Sequence, residues 1–132
     1  QVRRLLKQGV PPSQVTVIGH SKGGSIALIA ASELREEKLN FAIMAGCGKR
    51  GGGFRRSFER CLERRAARLR GRLLSIYDAS DRLAGSCREA LEKAAIAESA
   101  EVVLETGRGH ALFWSPEAVW LDEVVEWAAP KP

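Results

Sequence analysis

The sequence predicts an α/β domain in three layers, a mostly parallel sheet of about four strands flanked by helices. Two observations predict it. Short runs of β-branched and apolar residues alternate along the whole chain with longer segments of helical period, the pattern of successive βαβ units. The strand runs are apolar on both faces, as strands buried in a parallel sheet are. Right-handed crossovers then place helices on the faces of the sheet. A chain of 132 residues suffices for one domain with one modest core.

The elements follow in order. Gln1 to Gln8 reads as a helix end with Val2, Leu5 and Leu6 on one face, stopped by Gly9. Val15 to Ile18 is the first strand. Lys22 to about Lys38 is a helix whose Ile26, Ile29, Ala30 and Leu34 share a face. Leu39 to Ala45 is the second strand, and "GCGKRGGG" is a loop. Arg55 to Arg70 is a basic helix with Phe58, Cys61, Leu62, Ala66 and Leu69 as its apolar side. Leu73 to Tyr77 is the third strand. Ser86 to Ser99 is a helix with the serine as N-cap and Leu91, Ala94 and Ala95 inside. Glu101 to Glu105 is the fourth strand. Pro116 opens the last helix at a position proline tolerates, and Val119, Trp120, Val124 and Trp127 form its buried stripe.

Composition narrows the class. No apolar run approaches the roughly 20 residues that cross a bilayer, and "QVRRLLKQG" lacks the apolar core of a signal peptide. Because the chain opens on Gln1, it reads as cut from something longer or as processed. Cys47, Cys61 and Cys87 have neither metal-ligand nor CxxC spacing. An odd, sparse set predicts reduced thiols in a cytoplasmic protein. Cys47 itself reads as a small buried filler rather than a second nucleophile.

The stretch "VTVIGHSKGG" carries the chemistry. It places Ser21 in Gly-x-Ser-x-Gly at a strand-to-helix junction. Such a serine sits in a strained turn that projects its hydroxyl from the carboxyl end of a strand, where α/β folds bind ligands. Gly19 and Gly23 are expected to be glycines because flanking side chains would clash. The helix behind aims its N-terminus at the site and favours a developing anion. The competing structural reading is a glycine-rich turn that packs helix on strand.

A serine needs a base. His20, inside the elbow, should point away from the Ser21 hydroxyl. His110, in "TGRGHALFW" just past the fourth strand, is the better candidate, against its alternative as a surface loop histidine. The acid comes from "LLSIYDASDRLAG". Asp81 is preferred, and Asp78 is the residue that would cap the turn. The chain order Ser, Asp, His differs from the chymotrypsin and subtilisin orders.

These residues bring a family into view. "VTVIGHSKGG" resembles the fifth strand and elbow of the α/β-hydrolases, "LLSIYDASDRL" their seventh strand and acid turn, and "VVLETGRGHALFWSPEAVW" their eighth strand, histidine loop and final helix. The resemblance implies one partial, truncated α/β-hydrolase domain over residues 1–132, with a basic helical insertion at about 48–71. It implies a serine hydrolase cleaving an ester, thioester or related acyl bond through Ser21, Asp81 and His110, with the Lys22 backbone N–H as an oxyanion donor. It implies no metal or cofactor. His20, Phe113 and Trp114 are weaker substrate-binding candidates, although the aromatic stripe Phe113, Trp114, Trp120 and Trp127 reads first as core packing.

In that family four strands precede the elbow, whereas here about 14 residues do. The absent part normally supplies the second oxyanion donor, whose loss costs about 100- to 1,000-fold in rate. The alternative is therefore a weak or inactive half-hydrolase acting as a binding or assembly module. The elbow strand would also form an open sheet edge. Hence the partners expected are a small acyl substrate and, through that edge, a second copy or the missing N-terminal half. No membrane is expected.

The net charge of +5 is unevenly placed. Residues 49–72 hold ten cations against Glu59 and Glu63, a net +8, leaving −3 for the rest. A lid that attracts an anionic substrate, a nucleic-acid patch and a solvated helix face all fit this run. Nothing resembles a base-reading motif, so nucleic acid is not an expected partner.

Overall fold

The computed structural model describes residues 1–49, 51–93, 96 and 98–129. Four strands, β1 (Thr16–His20), β2 (Asn40–Met44), β3 (Arg72–Asp78) and β4 (Glu98–Leu104), form one sheet in the order β1-β2-β3-β4. Every pairing is parallel, with Thr16 opposite Asn40, Asn40 opposite Arg72 and Arg72 opposite Glu98. The helices are α1 (Val2–Lys7), α2 (Lys22–Leu34), α3 (Gly53–Arg65), α4 (Arg88–Lys93) and α5 (Ala118–Ala128). The architecture is the predicted three-layer α/β sandwich.

Period-two alternation divides the core. Phe41, Ile43 and Leu73 face a cluster with Ala27, Leu28 and Ala31 of α2 and Phe58 and Leu62 of α3. Ala42, Met44, Leu74 and Ile76 face the other way, against Leu112, Phe113, Trp120 and Val124. At the amino end of the sheet the Asn40 amide donates to the Ser13 carbonyl (2.9 Å) and its oxygen accepts from Arg72 (2.7 Å). Arg72 also pairs with Glu98 (2.9 Å) and lies over the Trp127 ring. That network holds three strand starts in register.

Several element readings are corrected. In α2 the inward residues are Gly24, Ala27, Leu28, Ala31 and Ser32, while Ile26 is 61% exposed. The helix docks its small residues because Gly24 approaches Gly46: a Cβ at Gly24 would lie 2.8 Å from the Gly46 Cα. In α5, Trp120 and Val124 are buried but Val119 is exposed, and the helix opens at Ala118 with Glu117 as N-cap, so Pro116 lies just before it instead of at its first position. Trp114 is 75% exposed and so leaves the expected aromatic core stripe. β4 starts at Glu98, in register with Arg72, and takes residues assigned above to the preceding helix; Ala94 and Ala95 lie outside the described residues. The basic segment supplies α3, the crossover between β2 and β3, with Phe58 and Leu62 packed into the core. Arg55 on that helix is itself buried, bonded to Glu59 (2.7 Å) and to the Ser86 carbonyl (2.6 Å).

The reduced-thiol expectation is overturned. Cys47 and Cys87 form a disulfide across a sequence separation of 40, with their Cα atoms 5.4 Å apart; Cys61 is the free thiol. Cys47 is thus a cross-link and not a filler. The bridge ties the loop after β2 to the start of α4. Beside it Gly48 pairs with Ala84, and the Gly85 N–H donates to the Cys47 carbonyl (2.8 Å). Closing a loop of that length removes about 4 kcal/mol of chain entropy from the unfolded state. Reduction under native conditions is therefore expected to lower the thermal midpoint by about 10 °C or more, read by circular dichroism with and without a phosphine reductant.

Candidate active site

Ser21 sits between β1 and α2 with φ 54° and ψ −119°, a strained conformation for a residue with a side chain. Its N–H donates to the Met44 carbonyl (2.8 Å), which extends the β1–β2 pairing to the turn itself. Gly19 makes the turn possible: a Cβ there would lie 2.2 Å from the Gly23 carbonyl oxygen. The clash expected at Gly23 is absent, since a Cβ at Gly23 would meet nothing within 4 Å. Gly24 is the second glycine the packing demands. Lys22 opens α2, where first-turn N–H groups have no intrahelical acceptor.

The acid turn follows β3. Asp81 is 1% exposed. Its Oδ1 accepts the N–H groups of Leu83 (2.7 Å) and Ala84 (2.9 Å). Burial pushes the Asp81 carboxyl up, but those two donors and His110 outweigh it and leave it below the ordinary carboxylate value. Asp81 is therefore an ionised acceptor, and its Oδ2 lies 2.7 Å from His110 Nδ1. An acceptor there requires the proton on Nδ1. Nε2 then presents a lone pair, and the Ser21 Oγ is 2.9 Å away, placed to donate to it.

Asp78 bridges the two loops that carry this pair. Fully buried, it accepts on Oδ1 the Ser80 N–H (2.9 Å) and hydroxyl, and on Oδ2 the Thr106 N–H (3.0 Å) and hydroxyl. Burial raises its pKa, but the Ser80 and Thr106 donors prevail and hold it well below the usual carboxylate range. The acid turn and the histidine loop are thereby fastened to one carboxylate. Gly109 (φ 60°) turns the chain into His110 in the left-handed region that favours glycine, with the Asp81 backbone in van der Waals reach. His110 follows within a 3-10 turn, Gly109–Trp114.

His20 lies beside the His110 ring (centroids 4.8 Å apart) and beside Phe113 (5.6 Å). It has no hydrogen bond to Ser21 among the described residues, and its Nε2 is buried without a partner there. Burial, then the neighbouring His110, lowers its pKa against weaker opposing effects from the His110 backbone and Asp81. His20 is thus a neutral ring that packs the imidazole of His110 in place. Phe113 is buried and supports His20 from behind, whereas Trp114 projects into solvent. Reading by sequence missed Thr106 and Ser80. The signal available was their position, each two residues past a strand end in the turns on either side of Asp78.

Residues 1–50 match the family model of lipase (class 3). The matched stretch runs from α1 through Ser21, α2 and β2, and it ends before Asp81 and His110. That part of the chain is similar to class 3 lipases, and the all-parallel sheet flanked by helices is consistent with part of an α/β-hydrolase fold. No curated protein matches the chain. Among the described residues no helix is long and apolar enough to cross a membrane.

Proposed function

We propose that the chain is a serine hydrolase that cleaves an ester, thioester or related acyl bond. The observation that carries the reading is His110, which bridges Asp81 at 2.7 Å and Ser21 at 2.9 Å. Ser21 Oγ attacks the acyl carbon while His110 Nε2 takes its proton. The resulting oxyanion accepts the Lys22 backbone N–H, and the N-terminal field of α2 adds to its stabilisation. The tetrahedral adduct expels its alkoxide or thiolate, which His110 protonates. Water then attacks the acyl-Ser21 ester, passing its proton to His110, and the carboxylic acid leaves with Ser21 restored. Asp81 holds Nδ1–H and stabilises the imidazolium formed in each half. The likeness of residues 1–50 to class 3 lipases favours carboxylic esters among acyl substrates. Hydrolysis of p-nitrophenyl esters of graded acyl length tests this. Turnover by the wild-type chain that Ser21→Ala abolishes is the expected result. A folded chain inert toward every ester favours the non-catalytic assembly module.

Two further features bear on its setting. The Cys47–Cys87 bridge favours an oxidising compartment over the cytoplasm expected from the cysteine count. β1 is an edge of the sheet, with Ile18 50% exposed upon it. Pairing of that edge with a second copy, or with the strands the family places there, would cover it.

A further inference from the structure

α2 and α3 lie side by side on one face of the sheet, and a cavity of about 540 Å³ opens between them. Glu33 lines it from α2, and Ser57, Arg60, Arg64, Arg65 and Arg68 line it from α3 and the turn that follows. We propose that this groove binds a compact anion carrying two or more phosphoryl groups. The proposal stands independently of the acyl-transfer reading. Glu33 lies twelve residues beyond Ser21 along α2, about 18 Å of helix.

Arg65 is satisfied: it pairs with Glu33 (2.6 Å) and donates to Ser32 Oγ (3.0 Å). Arg60, Arg64 and Arg68 line the same cavity, and none has a carboxylate within ion-pair distance among the described residues. The macrodipole accounts for cations in the last turn of α3, namely Arg64 and Arg65. It does not account for Arg60, which precedes that turn, or Arg68, which follows the helix. Arg60 and Arg64, four residues apart on α3, share one face, and Arg68 of the following turn joins them and Ser57 at the cavity. Like charges so arranged repel, and an anion in the groove relieves the repulsion. Guanidinium forks match phosphoryl oxygens two at a time, and the Ser57 hydroxyl adds a donor. The volume falls within the range of small-molecule sites, roughly 300–1,000 Å³.

Calorimetric titration with tripolyphosphate at fixed ionic strength tests the proposal, with amide chemical shifts to locate the ligand. The expected result is saturable binding, with shifts clustered in residues 57–68 and 29–33. In Arg64→Gln/Arg68→Gln the dissociation constant should rise at least tenfold, while in the α1 control Arg4→Gln it should stay the same. Arg60→Gln alone should weaken binding severalfold, which keeps the test decisive if the double variant does not fold. Affinity unchanged in the groove variants overturns the proposal, as do shifts centred on α1. Absence of any saturable response to tripolyphosphate, with retention only by phosphatidylserine vesicles or single-stranded DNA, overturns it too.

Discussion

Replacing His110 with alanine is expected to slow acylation of Ser21 by roughly 10⁶-fold, the scale on which members of such triads act as a unit, while the protein stays folded. The serine hydroxyl is a poor nucleophile until its proton has somewhere to go. His110 Nε2 is the acceptor in contact with it. His20 cannot substitute, because its ring packs against His110 instead of bonding Ser21. The side chain of His110 is 20% exposed, but its loss leaves the buried Asp81 Oδ2 without its donor, so it should cost about 1–3 kcal/mol of stability. Acylation kinetics and a urea melt on the same variant separate the two effects. A variant that reacts as fast as wild type would remove His110 from the mechanism.

The second large effect is on stability and lies at Asp78. Asn in its place presents an NH₂ group to donors that need acceptors. The NH₂ would sit at the fully buried Asp78 position facing either the Thr106 or the Ser80 donors, with Thr106 half-buried and Ser80 exposed to water. Asp78→Asn is expected to cost about 2 kcal/mol, a sizeable fraction of the ~5–15 kcal/mol that holds a domain together. Because that carboxylate fastens the histidine loop to the acid turn, acylation should slow as well, even under conditions where the variant remains folded.

The sign of the pH dependence follows from the same groups. Asp78 and Asp81 are held below the ordinary carboxylate value in the fold. Their contribution is complete above about pH 4, the unfolded carboxylate range, and is lost as pH falls through their folded values. His20, also lowered, adds a smaller loss that begins as pH drops below about 6.5. Urea midpoints should therefore be level above pH 7, decline gently below 6.5 and fall steeply below 4. In Asp78→Asn the steep limb should be shallower. A midpoint that rises on acidification would contradict the assignment of these groups.

The fold was legible because strand and helix periods alternate without interruption, and because a parallel sheet leaves its strands apolar on both faces. The elbow was legible because its turn demands a glycine at Gly19. What escaped was set by close approach and by distance along the chain. Ile26 reads as core by period, yet Gly24 brings α2 so near Gly46 that alanines take the inward face. Cys47 and Cys87 read as unrelated thiols until the sheet sets the β2 exit loop beside the residues before α4. Trp114 reads as core by its neighbours, and the 3-10 turn after His110 points it outward. The role of Asp78 needs Thr106 from another strand end, which spacing alone does not supply.

The central claim is that Ser21 is an activated nucleophile. Intact-mass spectrometry after treatment with a fluorophosphonate, followed by peptide mapping, tests it most directly. The account predicts one adduct per chain, located on Ser21 and missing from Ser21→Ala. A folded wild-type chain that takes up no adduct, or one modified equally when Ser21 is alanine, would contradict it.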